Sequence, residues 1–315
     1  SQEDAEYGGF GTTPKFPIAP VLEFLLTTGE PDATALVTRT LQAMAVSPLV
    51  DPLEGGFFRY ATKRDWSEPH YERMLYDNAQ LLALYAAVGQ VDVASGIVGF
   101  LAQVMRLEVG LASAQDSESV IAGRRVEGGY YLADRATRQS LNPPAIDDKV
   151  LTGWNGMAIG ALAQATRHGV SGDPLGLATS LAHELLAAHR SEPGHLIRMS
   201  KDGQPSQAAA TLEDYGGLAW GLLELAVATG EAAWAKEAKE LVDACITDDG
   251  EFVVPGGGDP TVSSLEAISG DVTEGAMPSG LSFIAQAALT LYQLTGADHY
   301  REVAQRSVSR YAEAV

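Results

Sequence analysis

The chain holds a single cysteine, Cys245, in 315 residues, which excludes any disulfide within it. Its neighbours Leu241, Val242 and Ala244 predict a helical setting and a buried, reduced thiol. Runs of about 18 uninterrupted apolar residues are absent, which excludes a membrane-spanning helix. The first residues, Ser1-Gln-Glu-Asp4, are acidic where a signal peptide is basic, so a cytoplasmic protein is expected. Residue 1 is Ser rather than Met, and the chain reads as a piece of a longer protein. Positive charge is scarce: 21 Lys and Arg face 41 Asp and Glu, a net charge of −20. That balance argues against nucleic acid or an anionic membrane surface as partner and serves solubility. His-x-x-x-His and Cys-x-x-Cys pairs are missing, so neither a metal nor a cofactor is expected. Two glycine runs, Tyr7-Gly-Gly-Phe-Gly11 and Pro255-Gly-Gly-Gly258, lack the Lys-Ser/Thr and strand–helix setting of a phosphate loop and read as turns. Strand signals are short and few: Gly128 to Leu132, Leu196 to Met199, and Glu251 to Val254.

What the chain has in abundance is helix. Four segments share one grammar of a polar, aromatic or glycine-rich opening, about 15 residues rich in Ala and Leu, and a glycine stop. They run from His70 to Gly89, Thr152 to Gly169, Leu212 to Gly230 and Ala276 to Gly296, and each stop fits a C-terminal cap. A second amphipathic stretch follows each one: Val91 to Leu107, Pro174 to His189, Glu231 to Ile246 and Asp298 to Ala314. A further pair, Pro20 to Leu26 and Asp32 to Met44, precedes them, giving five αα-hairpins. The fold class is therefore all-α. Stacked hairpins form either an open superhelix with uniform short connections or a closed α/α toroid with long loops at one rim. Residues 108–151 and 247–275 are long, Gly-rich connections dotted with Asp, Glu and Pro, which favours the closed ring.

The openings carry the chemistry. His70-Tyr-Glu-Arg-Met-Leu-Tyr-Asp-Asn-Ala79 puts an imidazole, two carboxylates, a guanidinium and a carboxamide at the mouth of an apolar helix. Read as helix from Glu72, it places Leu75, Ala79, Leu82 and Ala86 on one apolar stripe. Asp147-Asp-Lys149 leads into Trp154-Asn155, Glu213-Asp-Tyr215 opens the third segment, and Asp271 and Glu274 precede Pro278-Ser279 in the fourth. Carboxylates at helix starts ordinarily satisfy free N–H groups and complement the helix dipole. Recurrent aromatic partners add a second meaning, because flat rings beside acidic groups suit a sugar: stacking on C–H faces and acceptors for hydroxyls. Such rings are also common core fillers. Of the six histidines only His70 lies in a rich motif; His168, His183, His189 and His299 read as solvated residues near helix ends or on outer helices, and His195 as a loop residue.

At these motifs the chain resembles a known family, the thioredoxin-domain proteins similar to spermatogenesis-associated protein 20, in the helical region after the thioredoxin module. The strings that carry the resemblance are Gly8-Gly-Phe-Gly-Thr-Thr-Pro-Lys-Phe-Pro17, Gly55-Gly-Phe-Phe-Arg-Tyr60, Pro69 to Ala79, Asp147-Asp-Lys-Val-Leu-Thr-Gly-Trp-Asn-Gly156, Leu212-Glu-Asp-Tyr215 and Pro278-Ser-Gly280. They occur in family order across nearly the whole chain. The resemblance implies an (α/α)6 toroid similar to six-hairpin glycosidases and N-acylglucosamine 2-epimerase. It implies no settled activity. The chain departs from the family at Phe58, where His is usual, and at Tyr71 and Arg73, where Phe and Lys are usual. It departs again over Ser113–Ser119, where Asp is usually richer, and in a shorter stretch between Tyr131 and Asp147. Losing the His weakens a two-histidine epimerase scheme, while Asp116 and Glu118 keep acidic groups nearby.

The expectation is one α/α toroid domain over residues 1–315, lacking a thioredoxin domain and part of a last hairpin. The first functional reading is a carbohydrate-active or carbohydrate-binding cavity, glycosidase-like or sugar isomerase/epimerase-like, with a sugar as the small-molecule ligand. Its acid/base candidates are Glu72, Asp77, Asp148, Glu213 and Asp214. Arg59, His70, Asn78, Asp116, Lys149, Asn155 and Ser279 would orient polar groups of the ligand, and Tyr60, Trp66, Tyr76, Trp154 and Tyr215 would stack on it. The alternative is a non-catalytic scaffold or sensor that works with a thioredoxin-like domain.

Overall fold

The computed structural model describes residues 3–192, 194–257 and 275–312. Asp271 and Glu274 lie outside the described residues. Helices dominate, and they fall where the repeat grammar puts them. The chain divides into two compact units.

The first unit comprises Ser1–Arg106, Ala112–Asp148 and His168–Asp173. It holds α1 (Ala19–Thr27), α2 (Pro31–Ala45), α3 (Leu75–Ala87), α4 (Val91–Gln103) and the single-turn α5 (Arg135–Arg138). α1 packs on α2 and α3 on α4, as hairpins. Pro20 and Pro31 stand at the first turns of α1 and α2, where a missing N–H costs nothing. From Leu75 to Ala86 all residues but Ala83 are buried, so α3 is covered on all sides rather than along the one stripe that its spacing predicts.

α3 starts at Leu75, three residues later than the sequence suggests. The preceding residues are drawn into ladders instead: Pro69–His70 pairs antiparallel with Tyr60–Ala61, and Arg73–Met74 pairs with Ala114–Gln115, which pairs in turn with Ile146–Asp147. His70 and Glu72 therefore sit on extended backbone that leads into the helix. Glu118–Ile121 and Arg124–Glu127 pair antiparallel as a hairpin in the same unit.

The second unit comprises Leu107–Leu111, Lys149–Arg167 and Pro174–Val315. It holds α6 (Thr152–Arg167), α7 (Pro174–Ala188), α8 (Leu212–Thr229), α9 (Ala232–Ala244), α10 (Gly280–Thr295) and α11 (Asp298–Ala312). α6–α7, α8–α9 and α10–α11 form hairpins, and α8 packs between α6 and α10. The α6–α8 approach is set by glycine: a Cβ at Gly221 would stand 2.1 Å from the Gly156 carbonyl oxygen. Short ladders join Val150–Leu151 to Met199–Lys201 and the latter to Gln204–Pro205. Cys245 is buried at the end of α9, and burial pushes its thiol far above the ordinary range, which makes it unreactive.

All four glycine stops behave as the sequence predicts. Gly89, Gly169, Gly230 and Gly296 have φ of 76°, 73°, 74° and 70°, the left-handed conformation that ends a helix. No helix among the described residues is long and apolar enough to cross a membrane.

Candidate functional site

In the first unit, the extended lead-in to α3 brings together Arg59, Tyr60, His70, Glu72, Tyr76 and Asp77. Arg59 Nη1 donates to Glu72 Oε2 at 2.9 Å, and the guanidinium also interacts with the Tyr76 phenol. His70 Nδ1 lies 2.7 Å from Glu127 Oε1, and its Nε2 lies 3.8 Å from Glu72 Oε2. The His70 ring stacks on Tyr60 at 5.1 Å and 23°, and Tyr60 in turn packs on Phe16.

Asp77 is the unusual member. It sits in the first turn of α3 and is 8% exposed, and its Oδ2 is buried with no hydrogen-bond partner among the described residues. Burial pushes its carboxyl up to about 8; the Arg59 charge pulls it down and Glu72 pushes it up further. At neutral pH Asp77 is mostly protonated, a carboxylic acid able to give a proton. The Nε of Arg59 is likewise buried without a partner.

The neighbouring Asn78 has a different task. Its Oδ1 accepts from Phe57 N at 2.7 Å, and its Nδ2 donates to the carbonyls of Phe57 and Met74 at 3.0 and 2.9 Å. Both ends of the amide are consumed by backbone. Trp66 is also structural: it is buried, its Nε1 donates to the Tyr7 carbonyl at 2.8 Å, and Lys15 Nζ stands over its ring at 4.7 Å. Asp116 accepts from Glu118 N and from the exposed Arg125 on the hairpin. Asp148, half-buried, ends this unit's stretch of chain ahead of α6.

A second polar cluster in this unit escaped the sequence reading. Arg73, fully buried, donates to Asp51 at 3.3 Å, to Glu54 at 2.7 Å and to Gln115; Arg138 donates to Asp51 at 2.8 Å. Tyr130 donates to Glu54, and Phe58, Tyr71 and Tyr131 pack beside it. Every carboxylate here has cationic partners, which marks a structural network. A cleft of about 540 Å³ opens next to it, lined by Asp51, Glu54, Gly96, Gln103 and Arg135 among others; Gly55, Gly56 and Phe57 of the family string line it, and none of the acid/base, orienting or stacking candidates does.

In the second unit the singled-out residues hold the fold. Asp214 belongs to a capping box: its Oδ2 accepts from Thr211 N at 2.8 Å and from Thr211 Oγ1 at 3.0 Å. Gly153 N donates to its Oδ1 at 3.1 Å, and Arg198 Nη1 lies 3.4 Å from Oδ2. Burial pushes this carboxyl up, and Arg198 and the backbone donors pull it back. Asn155 repeats the Asn78 arrangement, with its amide closed on Leu111 N, Leu111 O and Leu151 O. The buried Tyr215 hydroxyl accepts from Leu196 N at 3.1 Å, and Ser279 caps α10 by accepting from Ser282 N at 3.1 Å. Lys149 and Trp154 are half-buried around the start of α6, and Glu213 half-buried in the first turn of α8.

His189 departs from its expected solvated position. It is fully buried, with Nδ1 2.7 Å from Thr152 Oγ1 and Nε2 2.9 Å from Ser200 Oγ, and burial lowers its pKa to about 4. The Thr152 hydroxyl donates to Ile197 O at 2.7 Å, so it accepts from His189, and Ser200 donates to the other ring nitrogen. This chain of bonds ties the end of α7 to the start of α6.

No family model matches the chain. It is 28% identical to human spermatogenesis-associated protein 20 over 93% of its own length and 52% of that protein's. The chain spans about half the length of the curated relatives it matches. Among solved structures it is similar to cellobiose 2-epimerase from Bacillus thermoamylovorans, with a TM-score of 0.66, 10% identity, and 99% and 82% of the two chains covered. It is also similar to an α-1,6-mannanase of Salegentibacter, with a TM-score of 0.62, 13% identity, and 98% and 82% covered. These likenesses establish the fold: an α/α toroid of helical hairpins, with short strand pairs in its connections.

Proposed function

We propose that the chain is a sugar-processing α/α toroid in which Asp77 is the proton donor. The observation that carries this reading is the buried, partnerless Oδ2 of a carboxyl that stays protonated near neutral pH. An acid in that state is what protonation of a sugar oxygen requires, whether the oxygen leaves as in glycoside hydrolysis or belongs to a carbonyl as in isomerisation. Glu72 and Arg59 hold each other in place, and both of their charges act on the Asp77 carboxyl. The cellobiose 2-epimerase and the α-1,6-mannanase that share the fold are named for sugar substrates, which supports a sugar ligand here. Support for the residues in the second unit is weaker, since Asp214, Asn155 and Ser279 are engaged in holding the backbone.

The test is a panel of aryl glycosides and reducing sugars, assayed with the wild-type chain and Asp77→Asn. A drop of about 10²–10⁴-fold in turnover is expected, the usual contribution of a positioned acid. Undiminished turnover in Asp77→Asn would remove the residue from catalysis. The second reading, a non-catalytic ligand-binding scaffold cooperating with a thioredoxin-like domain, is favoured by the number of polar groups committed to caps and clamps. It predicts sugar binding by thermal shift that is equal in wild type and Asp77→Asn, with no turnover.

A further inference from the structure

We propose that Arg59 is a positioning residue with two carboxylate partners: it stays on Glu72 while Asp77 holds its proton, and it moves to Asp77 once that proton has been given. From the reading above this takes only that Asp77 is a neutral buried carboxyl with a proton to give.

Backbone and side chain both bind Arg59 to Glu72. Its backbone N–H donates to the Glu72 carbonyl at 2.9 Å, and its Nη1 donates to Glu72 Oε2 at 2.9 Å. The guanidinium also interacts with the phenol of Tyr76 in the first turn of α3, and Asp77 follows Tyr76 directly. The charges that act on the Asp77 carboxyl are those of Arg59 and Glu72, with opposite effect, while burial keeps the Tyr76 phenol neutral. Two complementary atoms are left over in this group: Arg59 Nε, a donor, and Asp77 Oδ2 are each buried without a hydrogen-bond partner among the described residues. Exposure decides which carboxylate needs the cation more. The Glu72 side chain is 28% exposed, so water can replace the guanidinium there, whereas Asp77 is 8% exposed and its anion has no such substitute. The Arg59 side chain is 40% exposed, which leaves its tip room to turn.

The exchange is balanced. The Asp77 proton passes to an acceptor oxygen of a ligand or of water, and the Arg59 bond to Glu72 Oε2 is given up for one to the new Asp77 carboxylate. A guanidinium carries five N–H donors and keeps all its protons, so only its partner changes. Glu72 remains an anion facing water. Return of a proton to Asp77 removes the charge that drew Arg59 over, and Glu72 takes it back. Arg59 thereby stabilises the conjugate base of the acid without touching the acid while it is loaded, and Glu72 keeps the acid loaded by holding Arg59 away.

The experiment is a carbon-detected NMR titration of the full chain, labelled at the aspartate carboxyls and the arginine guanidinium groups, between about pH 5 and 10. Asp77→Asn assigns the carboxyl signal and Arg59→Lys the Nε signal. In wild type the Arg59 Nε signal is expected to shift with the same midpoint as the Asp77 carboxyl, about 8, and to stay fixed in Asp77→Asn. Glu72→Gln removes the opposing charge and releases Arg59, so Asp77 should become more acidic by about tenfold or more; Arg59→Gln should make it less acidic by a similar factor. An Arg59 that only braces the strand would leave its Nε signal indifferent to the Asp77 midpoint. That result in folded wild type overturns the exchange without recourse to a variant, and so do shifts of Asp77 in the same direction in Glu72→Gln and Arg59→Gln. An Asp77 carboxyl already ionised at about pH 5 overturns both the exchange and the reading of Asp77 as the acid. A shared midpoint together with undiminished turnover in Asp77→Asn upholds the exchange and removes only the catalytic reading.

Discussion

Asp77 and Asp214 occupy matching places in their separate units, each buried in the first turn of a buried helix, yet one is unpartnered at Oδ2 and the other is surrounded by donors. Burial raises both carboxyls. What differs is compensation. Asp214 gives its charge to Thr211, Gly153 and Arg198, whereas Asp77 has the Arg59 field offset by Glu72 and no donor on Oδ2. A buried carboxylate with a full set of donors is architecture; one without them is held as a neutral acid and is free for chemistry.

The largest effect on stability should come from emptying the satisfied site. Asp214→Ala strands Arg198, the Gly153 N–H and the Thr211 N–H, and a loss of about 4–5 kcal/mol is expected in urea unfolding. If Asp214→Ala costs less than Asp77→Ala, the contrast between the two carboxylates fails.

Asp77 should show the opposite behaviour. Its folded pKa, about 8, is above its unfolded value, so the folded state binds the extra proton between about pH 4 and 8 and stability falls as pH rises through that window. Between pH 5 and 8 the wild type should lose about 3–4 kcal/mol from this group, and Asp77→Asn should remove that part of the slope. A variant that is no more stable than wild type at pH 8 would show that Asp77 is not held neutral.

Asn78 and Asn155 sharpen the comparison from the other side, because here the two units agree. Each amide makes three bonds to backbone, two of them to a single residue of the preceding loop. Replacement of either by Ala should cost about 2–3 kcal/mol, with similar values for both. A loss of ligand binding in Asn78→Ala without loss of stability would restore the role of ligand-orienting amide.

Much of this was legible in the sequence. The helical hairpins, their order and their glycine stops followed from periodicity and cap chemistry, which are local. The start of α3 did not, because the ladders that hold residues 69–74 extended use partners up to 42 residues away. Within the site, one signal was present and unused: Thr211 stands three residues before Asp214, the spacing of a capping box, while Met74 stands three before Asp77 and can make none. Glu127 could not have been found, since nothing local ties it to His70, 57 residues earlier. The pairing of Arg73 and Arg138 with Asp51 was hidden for the same reason.

The smallest effect concerns His189, whose pH dependence runs against that of Asp77. Its folded pKa, about 4, lies below the ordinary value of 6.5, so the unfolded chain binds more protons between those limits and stability rises with pH across them. The reason is burial, which disfavours the charged ring; a second ring proton would also face the Ser200 hydroxyl, which would then have to reverse its bond. His189→Gln should flatten this acid limb, removing about 1–2 kcal/mol of change between pH 5 and 6.5 while leaving the Asp77 slope intact. Opposed slopes that vanish one at a time, each with its own variant, would show burial keeping both groups neutral, a hydrogen-bonded histidine in one unit and a carboxyl without a donor on Oδ2 in the other.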